Sequence, residues 1–175
     1  VFASILVAGL ILSLTPAQAA SNLPFITGGG HTQNNNSGGG PSAQTGYGGF
    51  VARATEETSE DTYAARGEVQ ARSAGTEDHQ TVARVHGDVV CIANLGPADE
   101  ESGGEPGEDV WEIRFRVERS DVLPPGVYGS LFVQDNGRDD YADESFDGSL
   151  LTDPECGDAT EYELEPHQGQ ITVHD

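Results

Sequence analysis

Asp109-Val110-Trp111-Glu112-Ile113-Arg114-Phe115-Arg116-Val117-Glu118 alternates bulky apolar and charged side chains. Successive side chains of an extended chain point to opposite faces, so Trp111, Ile113, Phe115 and Val117 share one side and Glu112, Arg114, Arg116 and Glu118 the other. The stretch predicts a β-strand with one face in a core and the other in water.

The neighbouring segments carry the same kind of signal. Val127–Val133 (VYGSLFV) follows the turn residues Pro124-Pro125-Gly126, and Tyr47–Ala54 and Gly67–Ser73 are further strands. Thr81–Leu95 predicts two strands broken near Gly87-Asp88, and Thr160–Leu164 with Gln170–Val173 predicts a closing hairpin. Between them lie three acidic loops, Glu56–Asp61, Asp99–Asp109 and Asp135–Asp147. No segment after residue 20 shows a sustained helical period. About seven to nine short strands separated by turn residues predict an all-β fold, a small antiparallel β-barrel with a sandwich as the second arrangement. A barrel is preferred because closure removes exposed strand edges.

The N-terminus reads differently. Val1–Leu14 is an uncharged apolar run followed by Thr15-Pro16-Ala17-Gln18-Ala19-Ala20. A short apolar region ending in small residues predicts a signal peptide over residues 1–19, cut after Ala19, with Ala20 as the alternative. The run is shorter than a membrane span requires. Residues 20–45 form a Gly/Asn/Ser-rich segment with one short strand around Leu23–Thr27, and residues 46–175 form the single barrel domain. The predicted location is secreted, extracellular or in the cell envelope.

Charge supports that compartment and narrows the partners. Thirty acids stand against eight arginines and no lysine, a net charge of −22, and the first charged side chain is Arg53. Such a surface repels nucleic acid, heparin-like polymers and anionic membranes. Two readings explain it: a protein adapted to high salt, where carboxylates keep it hydrated and dispersed, or an acidic secreted protein whose missing lysines reflect codon bias. The expected partner is an extracellular ligand of a chemistry the sequence leaves open, and the expected state is a monomer.

Cys91 and Cys156 are the only cysteines. In an oxidising compartment they predict one disulfide; two buried thiols are the competing reading. Closing a loop of this length contributes about 4 kcal/mol on the loop-entropy argument.

Several fragments taken together carry a resemblance: Ile26-Thr27-Gly28-Gly29-Gly30, Tyr47-Gly48-Gly49-Phe50, Gly67-Glu68-Val69-Gln70, Val85-His86-Gly87-Asp88-Val89-Val90-Cys91-Ile92, Asp135-Asn136-Gly137 and Gly169-Gln170-Ile171-Thr172-Val173-His174-Asp175. The pattern resembles a group of small, uncharacterised secreted bacterial and archaeal proteins. These share a glycine triplet, a glycine-aromatic strand, a His-Gly-x-x-x-Cys strand, an Asp-Asn-Gly turn and a terminal Gly-Asn-Ile-x-Val-His-like strand. The resemblance spans nearly the whole chain after the signal and implies a compact barrel-like fold; no activity comes with it. The chain departs from the pattern at Gln170, where Asn is usual, and in the acidic insertion Asp99–Asp109.

His86, five residues before Cys91, invites a metal or nucleophile reading. However, zinc needs three or four ligands with close pairs, and the histidines at 31, 79, 86, 167 and 174 are scattered. A disulfide also removes the thiolate a Cys–His nucleophile needs. The simpler expectation for His86 is a wall residue contacting the next strand. Asp135, Asp139, Asp140 and Asp143 are the candidate ligands for Ca²⁺, the one cofactor considered. Against calcium, Gly137 stands where a calcium loop needs a side-chain oxygen, and Asn136-Gly137 reads equally as a hairpin turn. Paired carboxylates for glycoside hydrolysis carry no specificity among thirty acids. No Gly-x-Ser-x-Gly elbow, phosphate loop or dinucleotide fingerprint is present, and no catalytic residue is assigned. The serines at 130, 145 and 149 lack a histidine partner in the sequence pattern, and Trp111 with Tyr128, Tyr141 and Tyr162 reads as core and rim.

The leading expectation is a non-catalytic, secreted barrel acting as a binding or envelope-associated module. The alternatives are a barrel or enzyme with an axial pocket for a small ligand, and a structural surface protein. A filled interior favours the first and a hollow one the second.

Overall fold

The computed structural model describes residues 23–34, 43–74, 81–99, 103–121, 123–137, 140–145, 152–157, 162 and 164–174. Eight strands follow one another: β1 (Phe25–Asn34), β2 (Ala43–Ser59), β3 (Thr62–Ala74), β4 (Thr81–Pro97), β5 (Asp109–Ser120), β6 (Tyr128–Gln134), β7 (Tyr141–Ser145) and β8 (Glu165–His174). Each pairs antiparallel with the next, and β8 returns to β1, closing an antiparallel barrel in simple up-and-down order. No α-helix occurs among the described residues.

The interior is built by the strand alternation that the sequence displays. Every strand sends at least one buried apolar side chain inward: Ile26, Phe50, Val69, Ile92, Phe115, Leu131, Ala142 and Ile171 belong to one contiguous cluster. Trp111, Ile113 and Val117 complete the inward face of β5. Burying each of the larger side chains stabilises the fold by about 1.5–3 kcal/mol. These side chains fill the barrel axis.

Thr81–Leu95 is not divided into two strands. It lies within the single 17-residue β4. What reads in the sequence as a break at Gly87-Asp88 is a bend, with register shifts against β5 at His86/Gly87, Val89/Cys91 and Asn94/Gly96. Bulges let a long strand curve around a small barrel. Gly87 serves that curvature by close approach: a Cβ there would run into the Phe115 ring and lie 2.8 Å from the Arg116 carbonyl oxygen.

Two other boundaries move. Glu56–Asp61 is mostly strand, because β2 continues to Ser59 and pairs with Thr62 across the turn residues Glu60-Asp61. Asp61 takes the left-handed conformation (φ 56°), which aspartate tolerates at turns. Of the expected closing hairpin, Gln170–Val173 lies within the single strand β8, residues 160, 161 and 163 lie outside the described residues, and Leu164 sits ahead of β8 in no strand, packed on the outside of the barrel. The acidic stretch Asp135–Asp147 contains β7.

Candidate functional site

Two features of the outer wall stand out, one covered and one open. The covered one lies over β5 and β6. Glu112 and Arg114, which the alternation assigns to the wet face, have no solvent exposure. Their neighbours Arg116 and Glu118 do follow the expectation, forming an exposed ion pair at 2.7 Å. The difference is a cover. The described part of the β7–β8 connection, residues 152–157, lies over Glu112 and Arg114, and Cys156 within it is disulfide-bonded to Cys91 on β4.

Beneath this cover the polar groups are closely matched. Glu112 Oε1 accepts hydrogen bonds from Arg114 Nε (2.9 Å) and Ser130 Oγ (2.7 Å), while Oε2 accepts from the backbone amide of Gly157 (2.8 Å). Arg114 Nη2 lies 2.8 Å from Glu112 Oε1 as an ion pair without a hydrogen bond of its own, and Nη1 donates to the Asp153 carbonyl oxygen at 3.4 Å. A buried charge is tolerable only when paired and hydrogen-bonded in this way. Ser130 is thereby a structural donor to a carboxylate.

The same outer wall carries a second small apolar cluster of Ala98, Val110, Phe132 and Leu164, with Tyr162 stacked on Phe132 at 5.1 Å. Gln134 is fully buried beside it. Its Nε2 donates to the carbonyls of Glu105 and Glu108 (both 2.9 Å), and its Oε1 accepts from the Glu105 amide (2.7 Å). The described part of the acidic insertion is therefore held by the Gln134 amide and by backbone bonds of Ala98 with Gly107 and Glu108. The aromatics divide as expected: Trp111 lies inside, stacked with Tyr63 at 6.4 Å, and Tyr141 and Tyr162 pack outside.

Two of the calcium candidates, Asp135 and Asp140, sit at the seam where β8 closes the barrel. Asp135 Oδ1 accepts from the Gly137 amide (2.9 Å), fixing the Asp-Asn-Gly turn, and Oδ2 accepts from the Val173 amide (2.9 Å). Asp140 Oδ2 accepts from the Ile171 amide at 2.6 Å. Asp139 lies outside the described residues, and Asp143 is placed only as a position on β7. Asp135 and Asp140 thus bind backbone amides of the same strand. Among the described residues no group of three or more His, Cys, Asp or Glu side chains is gathered in a metal-holding arrangement.

His86 lies on β4 with Nε2 at 3.5 Å from Glu68 Oε2 on β3, the cross-strand contact expected of a wall residue. His167, on β8, is almost fully buried, with Nε2 3.3 Å from the Gly29 carbonyl. Burial pulls its pKa below the usual histidine range, partly opposed by the Gly29 carbonyl and the Asp140 carboxylate.

The open feature is a cleft of about 350 Å³ across the ends of β3, β4 and β5. Arg72, Arg84 and Arg119 line it together with His86 and Gln70, and Asp121 is the one carboxylate among its described lining residues. Arg72 and Arg84 are direct cross-strand partners, as are His86 and Arg119. Three of the eight arginines of the chain meet here. No local pattern announces this, because the three lie on different strands and strand register brings them together.

No protein-family model, curated protein or solved structure matches this chain. The site must be read from its own chemistry.

Proposed function

We propose that the chain is a secreted, non-catalytic β-barrel module that binds its ligand on the outer wall, at the cell exterior or in the envelope. The observation that carries this reading is the filled barrel axis, where Ile26, Phe50, Trp111, Phe115, Leu131 and Ile171 occupy the volume an axial ligand would need. Small barrels either fill with side chains or enclose one small ligand, and this interior is of the first kind. The exterior alternation supports action in water: exposed positions such as Arg53, Glu68, Gln70, Arg72, Asp88 and Arg116 are polar, the reverse of a membrane-spanning barrel, whose outward band is apolar. The Cys91–Cys156 disulfide agrees with an oxidising compartment.

The test is to look for a guest inside. The protein is purified from its source and examined by native mass spectrometry, and Trp111 emission is followed while a fluorescent apolar probe is added. The expected result is the bare chain mass and an unperturbed, blue-shifted Trp111. A stoichiometric small molecule, or quenching of Trp111 by the probe, would replace this reading with an axial-ligand barrel.

A further inference from the structure

We propose that the cleft formed by Arg72, Arg84 and Arg119 is a binding site for a small tetrahedral oxyanion, a phosphate- or sulfate-type group. This rests on the reading that the outer wall is the binding surface and names the site and its ligand class.

With thirty acids and eight arginines, every arginine has acids in excess to pair with. The others with assigned contacts follow that logic or find an aromatic face. Arg114 pairs with Glu112, Arg116 with Glu118, and Arg53 lies 4.5 Å over the Phe25 ring. Arg72, Arg84 and Arg119 make no ion pair among the described residues. They stand side by side on three adjacent strands instead, at exposed positions on a shared concave surface. Neighbouring like charges on a sheet repel and are unfavourable unless a counter-charge sits between them.

The lining suits such a guest. Guanidinium groups present planar forks of donors that match phosphate oxygens. Among the described lining residues three guanidiniums face one carboxylate, with Glu68 just beyond them on His86, which leaves a positive balance in the described lining. The nearby imidazole of His86 has its Nε2 toward Glu68, while its Nδ1 is buried without a hydrogen-bond partner among the described residues. The cleft volume falls within the range of small-ligand sites. The ligand must be small, because the long-range field of a chain at −22 opposes an extended polyanion. A compact dianion in direct contact with three guanidiniums escapes most of that repulsion, and more so in high salt, where screening lengths fall to about 3 Å at 1 M.

The test uses the whole secreted chain at constant ionic strength in a chloride background. Inorganic phosphate and inorganic sulfate are titrated separately while the Nε–Hε signals of the arginines are followed by NMR. The expected result is saturable movement of the Arg72, Arg84 and Arg119 signals with one-site behaviour and a quiet Arg66. The variant Arg84→Gln weakens binding by about tenfold or more, roughly one charge-assisted contact, whereas Arg66→Gln, which removes the same charge elsewhere on β3, leaves it unchanged. Because Arg84 is exposed, its replacement does not threaten folding, and an unaltered melting curve checks this. A methyl phosphate arm separates the sources: binding equal to inorganic phosphate assigns an ester-borne group on a larger molecule, and loss of binding assigns the free anion. Non-saturating shifts spread over all arginines, or equal binding by Arg84→Gln, would overturn the site. Either negative leaves the outer-wall reading to its own test, which turns on the contents of the barrel axis.

Discussion

The carboxylate of Asp140 accepts the backbone amide of Ile171 at 2.6 Å, so a side chain takes the place of a neighbouring strand. Among the described residues, strands β7 and β8 pair through Tyr141↔Pro166 and Ala142↔Glu165 alone. Beyond those pairs the amides of β8 are received by the Asp140 carbonyl (His167, 2.7 Å), the Asp140 carboxylate (Ile171) and the Asp135 carboxylate (Val173). The barrel is closed by two aspartates along its shortest ladder.

Removing that closure has a definite expected effect. Asp140→Ala leaves the Ile171 amide buried and unpaired, at a cost of about 2–3 kcal/mol for a lost bond to a charged acceptor. Asp135→Ala costs about 1–2 kcal/mol, since its bond to Val173 is only partly buried. Denaturant titration measures both, and hydrogen exchange at Ile171 and Val173 locates the loss. If exchange at Ile171 is unchanged in Asp140→Ala, the seam is held by something else.

The covered ion pair predicts strong coupling. Glu112→Ala strands a buried guanidinium and is expected to destabilise by about 3–5 kcal/mol, with Arg114→Met in the same range. The double variant should lose clearly less than the sum, because removing both partners leaves no unmatched charge behind. Additive losses in a double-mutant cycle would mean the two side chains do not depend on one another.

Loss of the disulfide acts on the same cover. Cys91→Ala with Cys156→Ala is expected to lower stability by about 4 kcal/mol through loop entropy. It also releases the Gly157 amide and Asp153 carbonyl from Glu112 and Arg114. In the cysteine-free chain the Gly157 amide should exchange rapidly while β1–β3 amides stay protected. Equal protection at Gly157 would show that the cover holds without its covalent tie.

His167 gives the protein an acid sensitivity whose sign follows from its burial. Its folded pKa lies below the ordinary value of 6.5, chiefly through desolvation. The unfolded chain therefore binds the proton more readily, and stability rises with pH through that interval. The contribution is fully present above about pH 6.5 and is lost as pH falls toward the depressed folded value. His167→Gln should flatten the stability profile between about pH 7 and about pH 5. A slope unchanged by that substitution would assign the acid sensitivity to other groups.

Salt should stabilise the barrel. Self-repulsion at −22 is felt most where screening is weak, so the melting temperature is expected to climb from about 0.01 M to about 1 M salt, as the Debye length shrinks from about 30 Å to about 3 Å. A curve that is flat or falls over that range would favour codon bias as the origin of the composition.

How much of this was legible in the sequence depends on how far apart the interacting residues lie. The inward face of β5 was readable because alternation is a local signal, and Trp111, Ile113, Phe115 and Val117 are where it put them. The outward face was half misread, since the cover over Glu112 and Arg114 comes from residues some forty positions away (on the order of the 45 separating Glu112 from Gly157). Periodicity describes one strand and is blind to what a distant segment lays over it. Gly87 resembled a strand break because glycine marks both turns and bulges, and only the proximity of Phe115 decides between them. Asp135 and Asp140 looked like cation ligands because carboxylates that cap a strand edge and carboxylates that hold a metal have the same composition. The arginine cleft had no local signature.

The pairing of Phe25 with His174 bears on how the barrel is assembled. It joins the residues farthest apart in the sheet, so this contact is slow to form and comes after the local hairpins are in place. Until β8 arrives, β1 and β7 are open rims able to recruit a neighbouring chain. Thirty carboxylates spread over the downstream sequence keep two such unfinished molecules apart by mutual repulsion. The acidity of the finished surface thus also guards the nascent chain against mispairing with its own kind, and the last strand ends the need for that protection.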